Sequence, residues 1–509
     1  MNDILSTPSS YYWVDHGPAS DYSPLRGEVS AEVAVIGAGM VGLTAALLLQ
    51  QQGRKVVVLE AKRVGEQTTG GSTAKVTAQH RLIYNQLVRN FGEAGAHAYA
   101  ESNQQAIQEI RGLAERLNID CDFETRAAYA YTRESDGVAS LEQEHETASR
   151  LGLPSRLLRG EVGLPFSVEA ALCFDNQAQF QPVKYLKGLA RAVVAAGGQV
   201  FEQSRALDVD DATPCRITCA DGAVQADEVI VATHLPFLDR AGFFARVAPR
   251  AHLGMAVELT GTPPDGMFIS IDEPTHSFRP VRGSEPLMVA IGHAFRPGQE
   301  NDHSERYQEL ERFLRGHFPV SGIHCRWMNM DYDSPDKVPY VGRMPLFSRH
   351  LYLATGFSAW GLTTGHVAGQ ILANQILERP NPYAKLYDAG RIKPVASAKE
   401  FVSHSMETAR DFISDHLGAK PRLNPEELIP GEGAVMQVDG DKVAACRDRQ
   451  GQLHLLSPLC THLGCNVNWN RTEQSWDCSC HGSRFSADGQ VIHGPAVTAM
   501  TRKDNGPES

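Results

Sequence analysis

Residues 32–60, EVAVIGAGMVGLTAALLLQQQGRKVVVLE, constrain the fold more than any other stretch of the chain. A short β-branched run ends in Gly37-x-Gly39-x-x-Gly42, and an Ala- and Leu-rich helical stretch follows, closed by Gly53. A second apolar run over 56–59 ends at Glu60. Strand, glycine turn, helix and strand in that order make a βαβ unit, whose parallel strands are buried in an α/β sheet. Gly37 permits the tight turn, Gly39 lets the backbone approach a pyrophosphate, and Gly42 lets helix and sheet pack closely. The helix N-terminus then presents free N–H groups and its positive dipole end to the phosphates. Glu60, 18 residues after Gly42, is placed to accept hydrogen bonds from ribose hydroxyls, and its charge disfavours the 2′-phosphate of NADP. The fingerprint alone leaves FAD and NAD open.

The chain has 509 residues, which sets an expectation of about two to four domains. A hydrophobic content of 42% and a charged content of 21% fit a folded protein with an ordinary core. The net charge of −12 argues against binding nucleic acid through a basic face. No apolar run approaches the roughly 20 residues of a membrane span. The stretch MNDILSTPSSYYWVDHG has no basic region followed by an apolar one, so no export signal is read and the cytoplasm is the expected location.

Helical patterns are expected over 79–118 and 136–151, and from Pro182 to the Gly197-Gly198 pair. Strands follow to about 232, an antiparallel sheet over 245–332, and a strand, glycine-rich turn and helix up to about 385. Residues 386–425 read as a connector with a helix over 397–417 and a turn-rich linker. Short strands come next, with hairpin turns at Asp439-Gly440 and Gln450-Gly451.

Six of the ten cysteines are scattered, with buried free thiols as the expectation. The other four fall in two boxes, Cys460-x-His462-x-x-Cys465 and, twelve residues later, Cys478-x-Cys480-His481. Such clustering in a cytosolic protein favours metal over a disulfide framework. A zinc site is one reading of these ligands. Against it, each box supplies one early cysteine, one histidine and a spare cysteine.

Over about residues 30–385 the chain resembles the FAD-dependent oxidoreductases of the D-amino-acid oxidase and glycine oxidase superfamily. The resemblance rests on the glycine fingerprint and on the segments TTGGSTAKVTAQH (68–80), VATHLPF (231–237), DKVPYVGRMP and LYLATGFSAWGLTTGHVAGQIL. It implies a Rossmann-like FAD-binding domain of the glutathione-reductase type, α/β in class, with an α+β antiparallel-sheet substrate domain. The implied FAD-binding parts are about 30–80, 180–240 and 335–385, and the substrate parts about 81–180 and 241–334. By that match Gly356, Phe357, Gly361, Leu362 and Thr363 lie beside the flavin, and Thr69, Ser72, Thr73 and Ala74 line it from the other side. No second G-x-G-x-x-G follows a strand in mid-chain, which favours a small organic substrate over a nicotinamide reductant. Substrates of the superfamily often carry a carboxylate, which suits an arginine fork, and Arg279 in HSFRP is the first candidate. His80, ending the flavin-side loop, is the candidate to orient or polarise a reacting group.

Over about residues 428–500 the boxes CTHLGC and CHGS resemble the Rieske [2Fe-2S] domains, a small all-β fold, which implies such a domain over 426–505. Carried over residue by residue, the resemblance has Cys460 and Cys478 holding one iron and His462 and His481 the other, with Cys465 and Cys480 paired as a disulfide. Such mixed ligation implies a potential of roughly −150 to +300 mV. The combination is similar to bacterial FAD-dependent oxidoreductases with a C-terminal Rieske domain. It implies oxidation of a small amine- or amino-acid-like substrate, with electrons leaving singly to a ferredoxin, cytochrome or quinone-linked acceptor. The alternatives are a reductase running in the opposite direction, a redox sensor or scaffold without turnover, and an oxidase whose Rieske domain is structural.

Overall fold

The computed structural model describes residues 7–238, 242–283, 285–345, 348–391 and 424–503. The helix expected over 397–417 lies outside the described residues.

The unalternated apolar runs assemble one sheet, in the order Tyr340–Arg343, Leu351–Thr355, Gly222–Val231, Gly27–Ile36, Val56–Leu59 and Gln199–Phe201. The four pairings from Leu351–Thr355 to Gln199–Phe201 are parallel. All four residues of Val56–Leu59 are buried, as a strand covered on both faces requires. Cys215–Thr218 and Asp208–Asp210 extend this sheet antiparallel. The helices Met40–Gln51 and Thr363–Ile376 are buried over most of their length and pack against each other. The helix Pro182–Ala195 starts at its expected proline, with the Gln181 side chain accepting from the N–H groups of Val183 and Lys184.

A second sheet runs Val320–Asp333, Ala248–Leu259, Leu287–Phe295, His276–Pro280, Met267–Ser270, Glu124–Thr132, Ala170–Gln179 and Lys75–Val76, with Ser155–Arg159 beside Ala170–Gln179. It is antiparallel except where Met267–Ser270 pairs parallel with Glu124–Thr132. Lys75–Val76 falls within the stretch expected to bind the cofactor, yet it pairs with Ala178 and Gln179 here. The chain that borders the cofactor side therefore crosses directly to the substrate side.

The C-terminal region forms two small sheets. One is Gly433–Val438, Asp441–Arg447 and Leu453–Leu456; the other is Val467–Asn470, Ser475–Cys478, Arg484–Ser486 and Val491–His493. The Asp439-Gly440 turn has φ of 50° and 93°, the doubly left-handed geometry of a tight hairpin. Trp469 and Trp476 meet edge to face, 4.9 Å between centroids, in a core with Val467 and Phe485. Among the described residues no helix is long and apolar enough to cross a membrane.

This region is seated on the second sheet by a polar seam. Arg326 of Val320–Asp333 donates to Glu473 at 2.8 Å, and the Tyr307 hydroxyl donates to the same carboxylate at 3.0 Å. Arg296 donates to the Ser479 carbonyl at 3.0 Å, and the Asn468 amide to the Gly298 carbonyl at 2.8 Å. The side chains of Arg326 and Glu473 are 1% and 5% exposed, so their charges depend on each other. Glu473→Ala is expected to lose about 3 kcal/mol by stranding a buried guanidinium, with Glu473→Gln milder. Calorimetric unfolding checks this, and an unchanged melting temperature for Glu473→Ala excludes it.

Candidate active site and metal centre

The glycine turn leads from Gly27–Ile36 into Met40–Gln51, and its backbone walls one end of a cavity of about 670 Å³. Gly37 has φ of 110°, and a Cβ there would sit 2.5 Å from the Ala232 carbonyl oxygen. A Cβ on Gly42 would lie 1.9 Å from the Gly37 carbonyl oxygen, so only glycine lets the helix start this close to the turn. Gly39 is the N-cap of the helix and faces open space, its nearest neighbour being Thr69 Oγ1 at 3.7 Å from a notional Cβ. Free helix N–H groups and an uncluttered backbone are what a pyrophosphate needs.

Glu60 also lines the cavity, and its carboxylate accepts the N–H groups of Ala38 at 2.8 Å and Lys62 at 2.9 Å. Burial raises its pKa, against the pull of these two bonds. Each oxygen keeps lone-pair capacity for a further donor. The cradle and the carboxylate therefore fit FAD.

Of the other expected cofactor residues, Thr69, Ser72, Thr73, Ala74, Phe357, Gly361, Leu362 and Thr363 line this cavity together with Gly37 and Gly39. Gly42 and Gly356 do not; Gly42 supports the turn from behind, and Gly356 holds a φ of 78° at the start of the returning loop.

The two catalytic candidates fare differently from the expectation. Arg279 does not line the cavity. Its guanidinium is spent on the backbone carbonyls of Thr73, Pro280 and Phe180, and it lies over the Trp13 ring. It ties the flavin-side loop to the second sheet, and no donor fork is left for a substrate carboxylate.

His80 does line the cavity, stacked on Trp360 at 4.3 Å. Its Nε2 lies 2.7 Å from the Thr77 carbonyl and its Nδ1 2.8 Å from the Tyr99 hydroxyl. Burial lowers its pKa to about 3, so the ring is neutral; Nε2–H donates to Thr77 and Nδ1 accepts from Tyr99. With both nitrogens committed to Thr77 and Tyr99, His80 braces the cavity wall.

Arg81, Arg250 and Lys337 line the cavity, as do Lys75 and Arg205. Arg81 has φ of 61°, a conformation costly for a side-chain-bearing residue, and donates to the Ile271 carbonyl at 3.0 Å. Arg250 and Lys337 share Asp333 at 2.8 and 3.2 Å. His252 lies among them, its Nε2 buried without a hydrogen-bond partner and its pKa lowered by burial. Sequence reading missed these residues: Arg81, Arg250 and His252 sit in no local motif, and Lys337, inside the quoted DKVPYVGRMP, has nothing in the segment that marks it out. His234 was within a quoted segment; it bonds Thr68 Oγ1 at 3.1 Å and Asp331 at 2.8 Å on the cavity wall.

The cysteine and histidine boxes come together at one end of the C-terminal region. The His462 and His481 rings stand 5.0 Å apart at 81°. Both ring nitrogens of His462 are buried without a hydrogen-bond partner, and burial lowers its pKa to about 4. The Cys460 and Cys478 thiols hydrogen-bond to each other, which lowers Cys460 and, with burial, raises Cys478. Cys465 and Cys480 form a disulfide, and their sulfurs lie within 4.8 Å of the Cys478 sulfur. Stranded neutral imidazole beside paired buried sulfurs is a donor set that fits an iron–sulfur cluster.

The C-terminal region also walls the large cavity. Ile492, His493, Gly494, Pro495, Ala496 and Val497 line it together with the glycine turn. His493 Nδ1 lies 3.0 Å from Gln67 Oε1 on the flavin-side loop. The Ala496 N–H donates to Ser483 Oγ at 3.0 Å, and the Ser483 hydroxyl reaches the Cys460 sulfur.

Fold and site thus define a flavoprotein oxidoreductase with an attached iron–sulfur domain. Residues 32–375 match the family described as FAD dependent oxidoreductase (DAO), and residues 420–502 match the Rieske [2Fe-2S] domain. The chain belongs to the DAO family of FAD-dependent oxidoreductases and carries a C-terminal Rieske domain; its cofactors are FAD and a [2Fe-2S] cluster. It is 34% identical over 496 residues to YhfW of Bacillus subtilis (strain 168), named as a Rieske 2Fe-2S iron-sulfur protein, with 97% of each chain covered. It is 24% identical to gamma-glutamylputrescine oxidoreductase of Escherichia coli (strain K12), over 74% of this chain and 92% of that one. Among solved structures, glycine oxidase from Geobacillus kaustophilus superposes with a TM-score of 0.61 at 16% identity, covering 71% of this chain and 99% of the other.

Gly42→Ala is expected to lower FAD occupancy on purification about tenfold or more, because the added methyl pushes the helix off the turn. Flavin absorbance per chain measures it, and full occupancy excludes the cradle.

Proposed function

We propose that this protein oxidises a small amine- or amino-acid-like substrate in the large cavity and delivers the electrons singly to an external ferredoxin, cytochrome or quinone-linked acceptor. The observation that carries this reading is the shared wall: residues 492–497 of the Rieske region border the same cavity as the glycine turn and Glu60. FAD when bound supplies the two-electron oxidant and the cluster a one-electron relay. Relatives named for gamma-glutamylputrescine and for glycine support the substrate class.

In this reading Cys460 and Cys478 hold one iron and His462 and His481 the other. Burial keeps the His462 ring neutral, the form that ligates a metal. The Cys465–Cys480 disulfide braces the two ligand loops. Gly37, Gly39, Glu60 and the residues Thr69 to Ala74 grip FAD. Arg81 and Arg250 take the carboxylate role first expected of Arg279, since both line the cavity, Arg81 beside Glu273 at 3.5 Å and Arg250 beside Asp333 at 2.8 Å. His80 and Trp360 form a fixed flat wall, and their packing keeps water from that side.

Anaerobic titration with a panel of amines and amino acids tests the reading. The active compound bleaches the flavin first and the cluster's visible bands second. Bleaching confined to the flavin, with the cluster staying oxidised, overturns the relay. His481→Ala is expected to keep substrate bleaching of the flavin while turnover with one-electron acceptors falls at least about tenfold. Arg81→Ala is expected to raise KM for a carboxylate-bearing substrate about tenfold, with kcat affected less, as loss of a charge-assisted hydrogen bond predicts.

A further inference from the structure

The strand Val320–Asp333 borders both cofactor sites, and its side chains alternate between them. Asn329, Asp331 and Asp333 line the large cavity. Arg326 and Tyr332 reach the Rieske region instead, at Glu473 and at His481. Tyr332 is 1% exposed. Its hydroxyl donates to the backbone carbonyl of His481 at 3.0 Å, with the Gly494 carbonyl 3.4 Å away. Its own backbone carbonyl accepts the N–H of Ser358 at 3.0 Å, and Ser358 lines the cavity. Its ring meets the His234 ring edge to face at 4.8 Å, and His234 lines the cavity too.

We propose that Tyr332 is the positioning residue that couples the two redox sites. An unbroken run of covalent and hydrogen bonds passes from the cavity wall at Ser358, through the Tyr332 backbone and side chain, to the carbonyl of a histidine of the cluster box. Electronic coupling decays less steeply through bonded contacts than across van der Waals gaps, and this run is bonded throughout, as is the run from cavity-lining Ala496 through Ser483 to the Cys460 sulfur. The inference rests on the relay reading above and specifies its route. The substrate loses two electrons as a hydride together with a proton. The electrons cross the strand one at a time, each reducing the cluster by one and each discharged to a one-electron acceptor before the next. Tyr332 keeps its proton throughout and is neither oxidised nor reduced in net terms.

Tyr332→Phe removes one oxygen and leaves the ring in place. Tyr307→Phe is the control: it removes a different buried hydroxyl across the same seam, the one bonded to Glu473. All three proteins are assayed first for FAD, iron and sulfide content, and the potentials of both centres are measured. The flavin is then photoreduced by a light pulse with EDTA as sacrificial donor, and cluster reduction is followed by absorbance, with its EPR signal quantified in freeze-quenched samples. The expected result is a several-fold slower cluster reduction in Tyr332→Phe at unchanged driving force and cofactor content, with Tyr307→Phe like the wild type. Equal rates in Tyr332→Phe and the wild type overturn the route, and so does equal slowing in both variants, which assigns the effect to domain seating. Loss of either cofactor in Tyr332→Phe also overturns it, because Tyr332 then serves the fold. A wild-type cluster that stays oxidised beside reduced flavin defeats the relay reading itself, which separates the two failures.

Discussion

Alternation along a single strand holds the two halves of this protein in contact. A β-strand sends successive side chains to opposite faces, and Val320–Asp333 uses both. On one face Trp327 donates to the Gly71 carbonyl and Asn329 to the Thr68 carbonyl, fixing the flavin-side loop. On the other, Arg326 grips Glu473 and Tyr332 grips the His481 carbonyl. The strand therefore forms part of the partition between the two halves, and residues 492–497 of the C-terminal region border the cavity directly beside it. Any change that moves the strand disturbs the cofactor cavity and the cluster site together.

Burial sets the charge states on both sides of that partition. His80 on the cavity wall and His462 in the cluster box are both held neutral, at about 3 and about 4, because each lies in a desolvated place without a nearby carboxylate. The consequences differ with the hydrogen bonds available. Both His80 nitrogens have partners, so neutrality makes it a rigid wall. Neither His462 nitrogen has one, so the same neutrality leaves a lone pair in search of a metal. Charged groups are kept by pairing instead, as with Arg326 and Glu473 in the seam, or Arg484 and Asp477 at 3.0 Å inside the C-terminal sheet.

Local chemistry was legible in the sequence, and long-range placement was not. The glycine turn, the Pro182 helix start, the Asp439-Gly440 hairpin and the paired boxes each depend on neighbours a few residues away, so spacing alone revealed them. Arg279 misled because HSFRP forms a strand buried at four of its five positions, where the pattern does not tell which face meets a cavity. Its guanidinium looks for a charged ligand on paper and finds three backbone carbonyls in the fold. Arg81, Arg250 and His252 carry no motif at all; they become a site only when the 81 loop and the strand Ala248–Leu259 converge. The contact between residues 492–497 and a cavity built some 400 residues earlier has no sequence signature of any kind.

The register of the partition strand must then be held, since a slip of one residue exchanges its faces. Turning Arg326 and Tyr332 toward the cavity would bury a guanidinium without Glu473 and release the His481 carbonyl. The pairing with Ala248–Leu259 contains the device that prevents this. Gly254 stands opposite Trp327, and a Cβ on Gly254 would lie 2.2 Å from the indole. The indole occupies the space that a side chain would take, and its N–H is satisfied by the Gly71 carbonyl at 2.8 Å. On the same strand Gly254 is flanked by Leu253 and Met255, both buried, so a slip of one residue in either direction puts a side chain where the glycine now faces Trp327. One glycine facing one tryptophan therefore fixes where Tyr332, five residues further along, meets the cluster box.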